Sequence, residues 1–304
     1  MKKLQNLILL LLILTMVACN KSDDDENEQP TPEPQSPKIG LVLSGGGAKG
    51  AAEIGALRVI EQRGIHIDYI AGTSIGAIVG SMYAAGYTVD ELEDFIVNLD
   101  EKDAKSSPAI KEILSGLYQK KGVSTFADLK IPFRCVASDA KTLTEVELKE
   151  GDLLASVMAS AAIPVMYTSV QIGDLNLVDG GLYNNMPVDV AKNMGAEYII
   201  AIDLQQEGES MVPSEYSALL ANLINMPEEE AKTQVSLLLG ESTDIVFDYI
   251  KNHPETVKYD ANVKAADIII HPDLTGFGTM NFGAENCKAM IKKGEEAAEA
   301  ALPK

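Results

Sequence analysis

The residues best placed to do chemistry lie in two glycine-rich runs. Ser44-Gly45-Gly46-Gly47-Ala48-Lys49-Gly50 follows one short apolar run, and Gly72-Thr73-Ser74-Ile75-Gly76 follows the next. The second run has the form G-x-S-x-G. Small residues two positions before and after Ser74 let a strand turn sharply into a helix, so that the hydroxyl stands out at a sheet edge as a nucleophile. The first run opens a helix-like segment, where unpaired backbone N–H groups favour negative charge. A nucleophile beside an oxyanion hole is the machinery of acyl transfer.

A serine nucleophile needs a base. Asp179, in Leu177-Val178-Asp179-Gly180-Gly181, ends an apolar strand, and the two glycines let the backbone bend so that the carboxylate can face a cleft. Such a carboxylate can act as base in a Ser–Asp dyad. Asp-Gly-Gly also suits a plain tight turn. Of the three histidines, His66 precedes Ser74, while His253 and His271 follow it, each ahead of a proline. Either of the latter two would complete a Ser–Asp–His carboxylesterase in α/β-hydrolase order. A third reading is a noncatalytic acyl-binding protein that keeps the motifs for their fold.

Gly45–Gly50 also fits G-x-G-x-x-G, the dinucleotide fingerprint. That fingerprint wants an acid at the end of the second strand to hold a ribose. Here Asp68 lies near the start of that strand, which ends in Ala71-Gly72-Thr73-Ser74. A phosphate loop of the G-K-[ST] type fails as well, because Gly50 follows Lys49.

The elements that must carry these residues alternate. Apolar runs predict strands over Ile39–Leu43, Ile67–Ala71, Phe133–Ser138, Leu143–Leu148, Glu197–Ile202 and Ile268–Ile270, and a hairpin of Thr168–Ile172 with Leu175–Val178. Helical spacing predicts Lys49–Arg63, Ile75–Ala85, Gly151–Ala162, Val188–Met194 and Ala284–Leu302, with Thr88–Leu99 capped by Thr88 and Glu91. Residues 100–130 read as short surface helices. Alternation of this kind predicts a mostly parallel sheet with helices on both faces. Residues 205–260 break the rhythm with helices near Tyr216–Ile224, Glu228–Leu239 and Ile245–Ile250. They read either as a cover over an acyl site or as ordinary helical packing.

Composition narrows the partners. The 304-residue chain carries a net charge of −20 at pH 7, which disfavours nucleic acid and strongly anionic membrane surfaces. The N-terminus reads as a lipoprotein signal peptide over 1–18. Lys2 and Lys3 precede the apolar stretch Leu7–Val17, which is too short to span a bilayer comfortably, and Met16-Val17-Ala18-Cys19 resembles a lipobox. Cys19 is the expected lipidation site. Residues 19–37, acidic and proline-rich, read as an extended tether, leaving 38–304 as the folded domain. The expected location is the outer membrane of a Gram-negative bacterium, with the acidic run Asp23–Glu26 resembling a surface-export signal. Cys135 and Cys287 read as buried free thiols.

Taken in order, Gly45-Gly46-Gly47-Ala48-Lys49-Gly50, Gly72-Thr73-Ser74-Ile75-Gly76 and Asp179-Gly180-Gly181 resemble the patatin-like phospholipase family. Ser160-Ala161-Ala162-Ile163-Pro164 resembles a further block of that family, and the likeness spans about residues 38–204. The resemblance implies a three-layer α/β/α sandwich in which Ser74 is the nucleophile and Asp179 its base. The amides of Gly46 and Gly47, helped by Gly45, would form the oxyanion hole, with Lys49, Gly50, Gly72, Gly76, Gly180 and Gly181 as supporting motif positions. The implied activity is hydrolysis of acyl esters in phospholipids, lysophospholipids or related lipids, without a metal or other cofactor. The implied partners are a lipid substrate and a membrane reached through the anchor.

Overall fold

The computed structural model describes residues 36–164, 166–206, 227, 229, 233, 236 and 240–303. Among them, eight strands form one sheet: β1 (Ile39–Leu43), β2 (Tyr69–Thr73), β3 (Phe133–Asp139), β4 (Thr144–Leu148), β5 (Val170–Ile172), β6 (Leu175–Asp179), β7 (Tyr198–Ile202) and β8 (Ile268–Ile270). The hydrogen-bonded order is β5-β6-β3-β2-β1-β7-β8, with β4 also on β3. The β1–β2, β1–β7, β2–β3 and β7–β8 pairs are parallel. The β3–β4, β3–β6 and β5–β6 pairs are antiparallel. The expected hairpin forms around Gly173 and Asp174 as β5 and β6.

Ten helices are named here among the described residues: α1 (Ala51–Gln62), α2 (Ile75–Ala84), α3 (Val89–Asn98), α4 (Glu101–Ala104), α5 (Ser107–Lys121), α6 (Leu153–Ser160), α7 (Val188–Asn193), α8 (Thr243–Asn252), α9 (Pro254–Ala265) and α10 (Ala284–Ala301). Strands buried on both faces lose the polar–apolar alternation of half-exposed ones. In β1, Leu41 and Leu43 enter one core with Leu57 and Ile60 of α1 and Met290 of α10. Val42 enters another core, on the opposite face, with Val188, Val190 and Ala191 of α7. The sheet is therefore mixed, mostly parallel and flanked by helices, as expected for an α/β/α sandwich. Each fully buried Leu or Ile contributes about 1.5–3 kcal/mol by leaving water. Such a frame can hold a strained residue at its rim.

Some expected elements differ. The second strand begins at Tyr69, because Asp68 turns its carboxylate back onto the Ile39 N–H at 2.8 Å. The helix expected from Lys49 starts at Ala51, after a 3-10 turn over Gly47–Gly50. Between residues 100 and 130, one helix is long. Ser106 accepts the Ala109 N–H, Pro108 sits in the first turn, and α5 runs for 15 residues. Helix α9 was missed, since its apolar positions are few and it opens on a proline, Pro254. The helix expected at Tyr216–Ile224 lies outside the described residues. The Thr88–Glu91 capping box of α3 forms as expected.

Candidate active site

Register brings the two key side chains together. Val136 of β3 pairs with Thr73 on one side and Glu147 on the other. The next residue, Ala137, pairs with Val146 on the β4 side and with Asp179 on the opposite side. Strands β2 and β6 therefore lie along the same flank of β3, run toward each other, and end one register position apart. Ser74 leaves β2 where Asp179 leaves β6.

The elbow is built by close approach. Ser74 has φ 56° and ψ −121°, outside the ordinary regions for an L residue, and caps α2. Such a conformation costs about 1–3 kcal/mol and persists only when neighbours impose it. A Cβ on Gly72 would meet the Gly76 carbonyl oxygen at 2.4 Å, and one on Gly76 would meet that of Leu43 at 2.3 Å. The Ser74 N–H donates to Ser160 Oγ at 3.0 Å, which pins the elbow to the end of α6. The hydroxyl sits at the N-terminus of α2, where developing negative charge is favoured.

Asp179 is 1% exposed. Its Oδ1 accepts the Gly181 N–H at 2.8 Å, whereas Oδ2 is buried with no hydrogen-bond partner among the described residues. Burial is the main influence on its acidity and pushes its pKa up to about 6; the nearby Ser74 hydroxyl and the Gly181 N–H offset part of that rise. The hydroxyl is thus close enough to stabilise the carboxylate without forming a well-aligned hydrogen bond. Catalytic hydrogen bonds are commonly loose before substrate arrives.

The glycine run meets Ser74 from β1. Gly47 has φ +59°, and a Cβ there would sit 2.2 Å from the Thr279 carbonyl oxygen. Ala48 and Lys49 spend their N–H groups on Thr279 O at 2.7 Å and Gly46 O at 3.3 Å. The Gly46 and Gly47 N–H groups have no backbone partner of that kind among the described residues. Gly45 corrects an expectation: its N–H donates to Asn185 O at 3.1 Å, so it is not an open donor. Its contribution is room, since a Cβ there would lie 3.2 Å from that of Ser74. Lys49 is buried beside the same cleft.

Two pockets share Ser74, Gly47 and Ile163. One, the polar pocket, sets polar groups in a mainly apolar wall and is also lined by Gly46, Asn185, Tyr249 and Glu255. The other is apolar, lined by Ile78, Phe95, Leu99, Met158, Met280 and Phe282. None of the three histidines lines either pocket. His66 is exposed near Asp68, His271 Nδ1 lies 3.2 Å from Asp203 Oδ2, and His253 Nδ1 lies 3.3 Å from Glu255 Oε1. Cys135 and Cys287 are buried free thiols, as expected.

Sequence reasoning missed Ser160, Asn185 and Glu255 as parts of this site. Ser160 stood in a quoted block without a role, and Asn185 follows Asp179 by six positions. Glu255 carries no motif; only its burial within a helix-opening turn marks it.

The chain has measurable relatives. Residues 41–192 match the family described as patatin-like phospholipase. An uncharacterised NTE family protein of Mycobacterium tuberculosis is 29% identical over 286 residues, covering 87% of this chain and 46% of the relative. Patatin-like phospholipase domain-containing protein 6 of Mus musculus is 30% identical over 191 residues, 57% of this chain and 14% of the relative. The chain thus spans half or less of the length of these relatives. The crystal structure of VipD from Legionella pneumophila matches with a TM-score of 0.50 at 15% identity, over 87% of this chain and 66% of VipD. That likeness concerns the fold. The matched span is half of the chain and holds both glycine runs, Ser74 and Asp179 in order, so the chain belongs to the patatin-like phospholipase family.

Proposed function

We propose that this protein is a serine hydrolase of lipid acyl esters, with Ser74 as nucleophile and Asp179 as base. The observation that carries this reading is the meeting of β2 and β6 on one flank of β3, which sets an unpartnered carboxylate oxygen beside the elbow hydroxyl. Ser74 Oγ attacks the ester carbonyl while Asp179 takes its proton. The carbonyl oxygen becomes an oxyanion, held by the Gly46 and Gly47 N–H groups and the N-terminus of α2. The intermediate collapses, the C–O bond to the alcohol breaks, and Asp179 returns the proton to the departing oxygen. Water then attacks the acyl-enzyme, giving a proton to Asp179. The carboxylic acid leaves, and Ser74 recovers its hydrogen.

The apolar pocket suits an acyl chain, because a chain of methylenes gains about 0.8 kcal/mol per buried CH₂. Phospholipids and lysophospholipids are the substrate classes that the family suggests. The test is labelling of purified protein with a fluorophosphonate, followed by hydrolysis of acyl esters. Labelling at Ser74 with ester turnover supports the reading; neither labelling nor turnover refutes it.

We also propose that the protein is lipidated at Cys19 and held on the outer membrane through the tether 19–37. No helix among the described residues is long and apolar enough to cross a membrane. Stable anchoring needs more than one acyl chain, so mass spectrometry of the mature N-terminus should find a multiply acylated Cys19. An unmodified terminus at another residue refutes the anchor and leaves the chemistry untouched.

A further inference from the structure

The polar pocket beside Ser74 contains two buried groups that the dyad chemistry does not use. Glu255, at the start of α9, is 6% exposed, and its Oε2 has no hydrogen-bond partner among the described residues. Asn185 is 4% exposed, and its Oδ1 also lacks one among those residues. Their other polar atoms are engaged: His253 Nδ1 lies 3.3 Å from Glu255 Oε1, and Asn185 Nδ2 donates to Gly45 O at 3.3 Å. Each buried, unsatisfied acceptor costs about 1–3 kcal/mol. Both orphans are acceptors, and both line the pocket that holds Ser74.

An ester attacked at Ser74 has two ends, and the two pockets differ in kind. The acyl end belongs in the apolar pocket, where methylenes meet Phe95, Leu99 and Met158. The alcohol end then falls in the polar pocket. A second acyl chain placed there would cover Glu255 and Asn185 without satisfying either. We infer that the polar pocket binds a leaving group that donates hydrogen bonds, a polyol with free hydroxyls, and that Glu255 is the residue that selects it. This inference rests on the esterase reading above. Glu255 acts on specificity, accepting from a hydroxyl of the leaving alcohol through Oε2, while His253 keeps the carboxyl in place.

The test compares two esters of one fatty acid. One is a 1-monoacylglycerol; the other is its 2,3-di-O-methyl ether, which keeps the glycerol frame but has no donor. The readout is the ratio of kcat/KM for the two. Sites built to hydrogen-bond a substrate hydroxyl reject analogues that lack it, because buried partners are left unpaired. The wild type is expected to prefer the free glycerol ester by at least about tenfold. Glu255→Leu should bring that ratio to about one, and Glu255→Gln, which keeps an acceptor oxygen, should retain more of it. Equal turnover of both esters by the wild type overturns the inference alone, whether or not the leucine variant folds. An undiminished preference in folded Glu255→Leu overturns the role of Glu255. A wild type that hydrolyses neither ester and resists fluorophosphonate overturns the esterase reading and this inference with it.

Discussion

Asp179 ends β6 and Ser74 directly follows β2, two strands that meet head to head on the same flank of β3, with Asp179 and Thr73 opposite the consecutive residues Ala137 and Val136 respectively. The two residues are about a hundred positions apart in the chain, so no local pattern brings them together. The sheet does so, and it holds the carboxylate out of water while it does.

The first prediction follows from that placement. Ser74→Ala and Asp179→Asn should each lower kcat/KM for acyl esters by at least about a thousandfold, roughly 4 kcal/mol of transition-state stabilisation. The base must be ionised to accept the serine proton. With Asp179 pushed up to about 6 by burial, wild-type kcat/KM should rise with pH through about 6 and then level off. Steady-state kinetics from pH 4 to 8 check both points. Near-wild-type turnover in Ser74→Ala would remove Ser74 as the nucleophile; near-wild-type turnover in Asp179→Asn, or a profile flat through that range, would remove Asp179 from the mechanism.

The same burial carries a stability cost with a definite sign. An aspartate near 3.8 when unfolded and about 6 when folded binds more protons in the native state between those values. Stability therefore falls as pH rises across that window, and the full penalty applies above it. Asp179→Asn removes the charge, so the variant should be more stable than wild type at pH 7 by on the order of 3 kcal/mol. The difference should shrink toward pH 4. Thermal melts at both pH values measure it, and a difference that does not grow with pH contradicts the burial argument.

Much of this was legible in the sequence. The alternation of apolar runs and helical spacing marked the layers, and G-x-S-x-G marked the elbow at Ser74, because small residues are the only solution where Gly72 and Gly76 touch backbone. The Asp179 carboxylate was nominated by its strand end and two glycines. What the sequence left out is long-range. That Gly45 spends its amide on Asn185 is a contact across 140 positions. Ser160 holds the Ser74 N–H across 86 positions. Glu255 reaches the pocket from a helix with too few apolar positions to announce itself. Hydrophobic periodicity reports which face is buried, and says nothing about which polar atom another segment will meet.

The histidines give a third prediction. Asp203 holds His271 at 3.2 Å, and His66 is exposed beside Asp68. Neither lines a pocket that contains Ser74. His66→Gln and His271→Gln should each keep kcat within about tenfold of wild type. Breaking a triad at its histidine costs far more, on the order of ten-thousandfold. Such a loss of kcat in a variant that still melts cooperatively would restore a Ser–Asp–His mechanism.

The oxyanion hole gives the last prediction. Gly46 and Gly47 are the proposed oxyanion donors of the first run, and only Gly47 of the two has a left-handed backbone, at φ +59°. Alanine at Gly47 faces two obstacles. Its φ is disfavoured for an L residue, and its Cβ would fall 2.2 Å from a backbone carbonyl oxygen that cannot swing away as a side chain can. The loop must shift, and the N–H moves with it. Losing one such donor costs about a hundred- to a thousandfold in kcat, so Gly47→Ala should lose at least that much. Gly46 is different: its φ lies outside the left-handed region, and the nearest atoms a Cβ would meet belong to side chains, Leu204 at 3.0 Å and Lys49 Cβ at 3.5 Å. Gly46→Ala should therefore be the milder change. Fluorophosphonate labelling reports the same hole, because the phosphonyl oxygen occupies it once Ser74 is modified. Labelling rates should fall in the order wild type, Gly46→Ala, Gly47→Ala. A Gly47→Ala protein that labels and turns over at the wild-type rate would place the oxyanion donors elsewhere in the cleft.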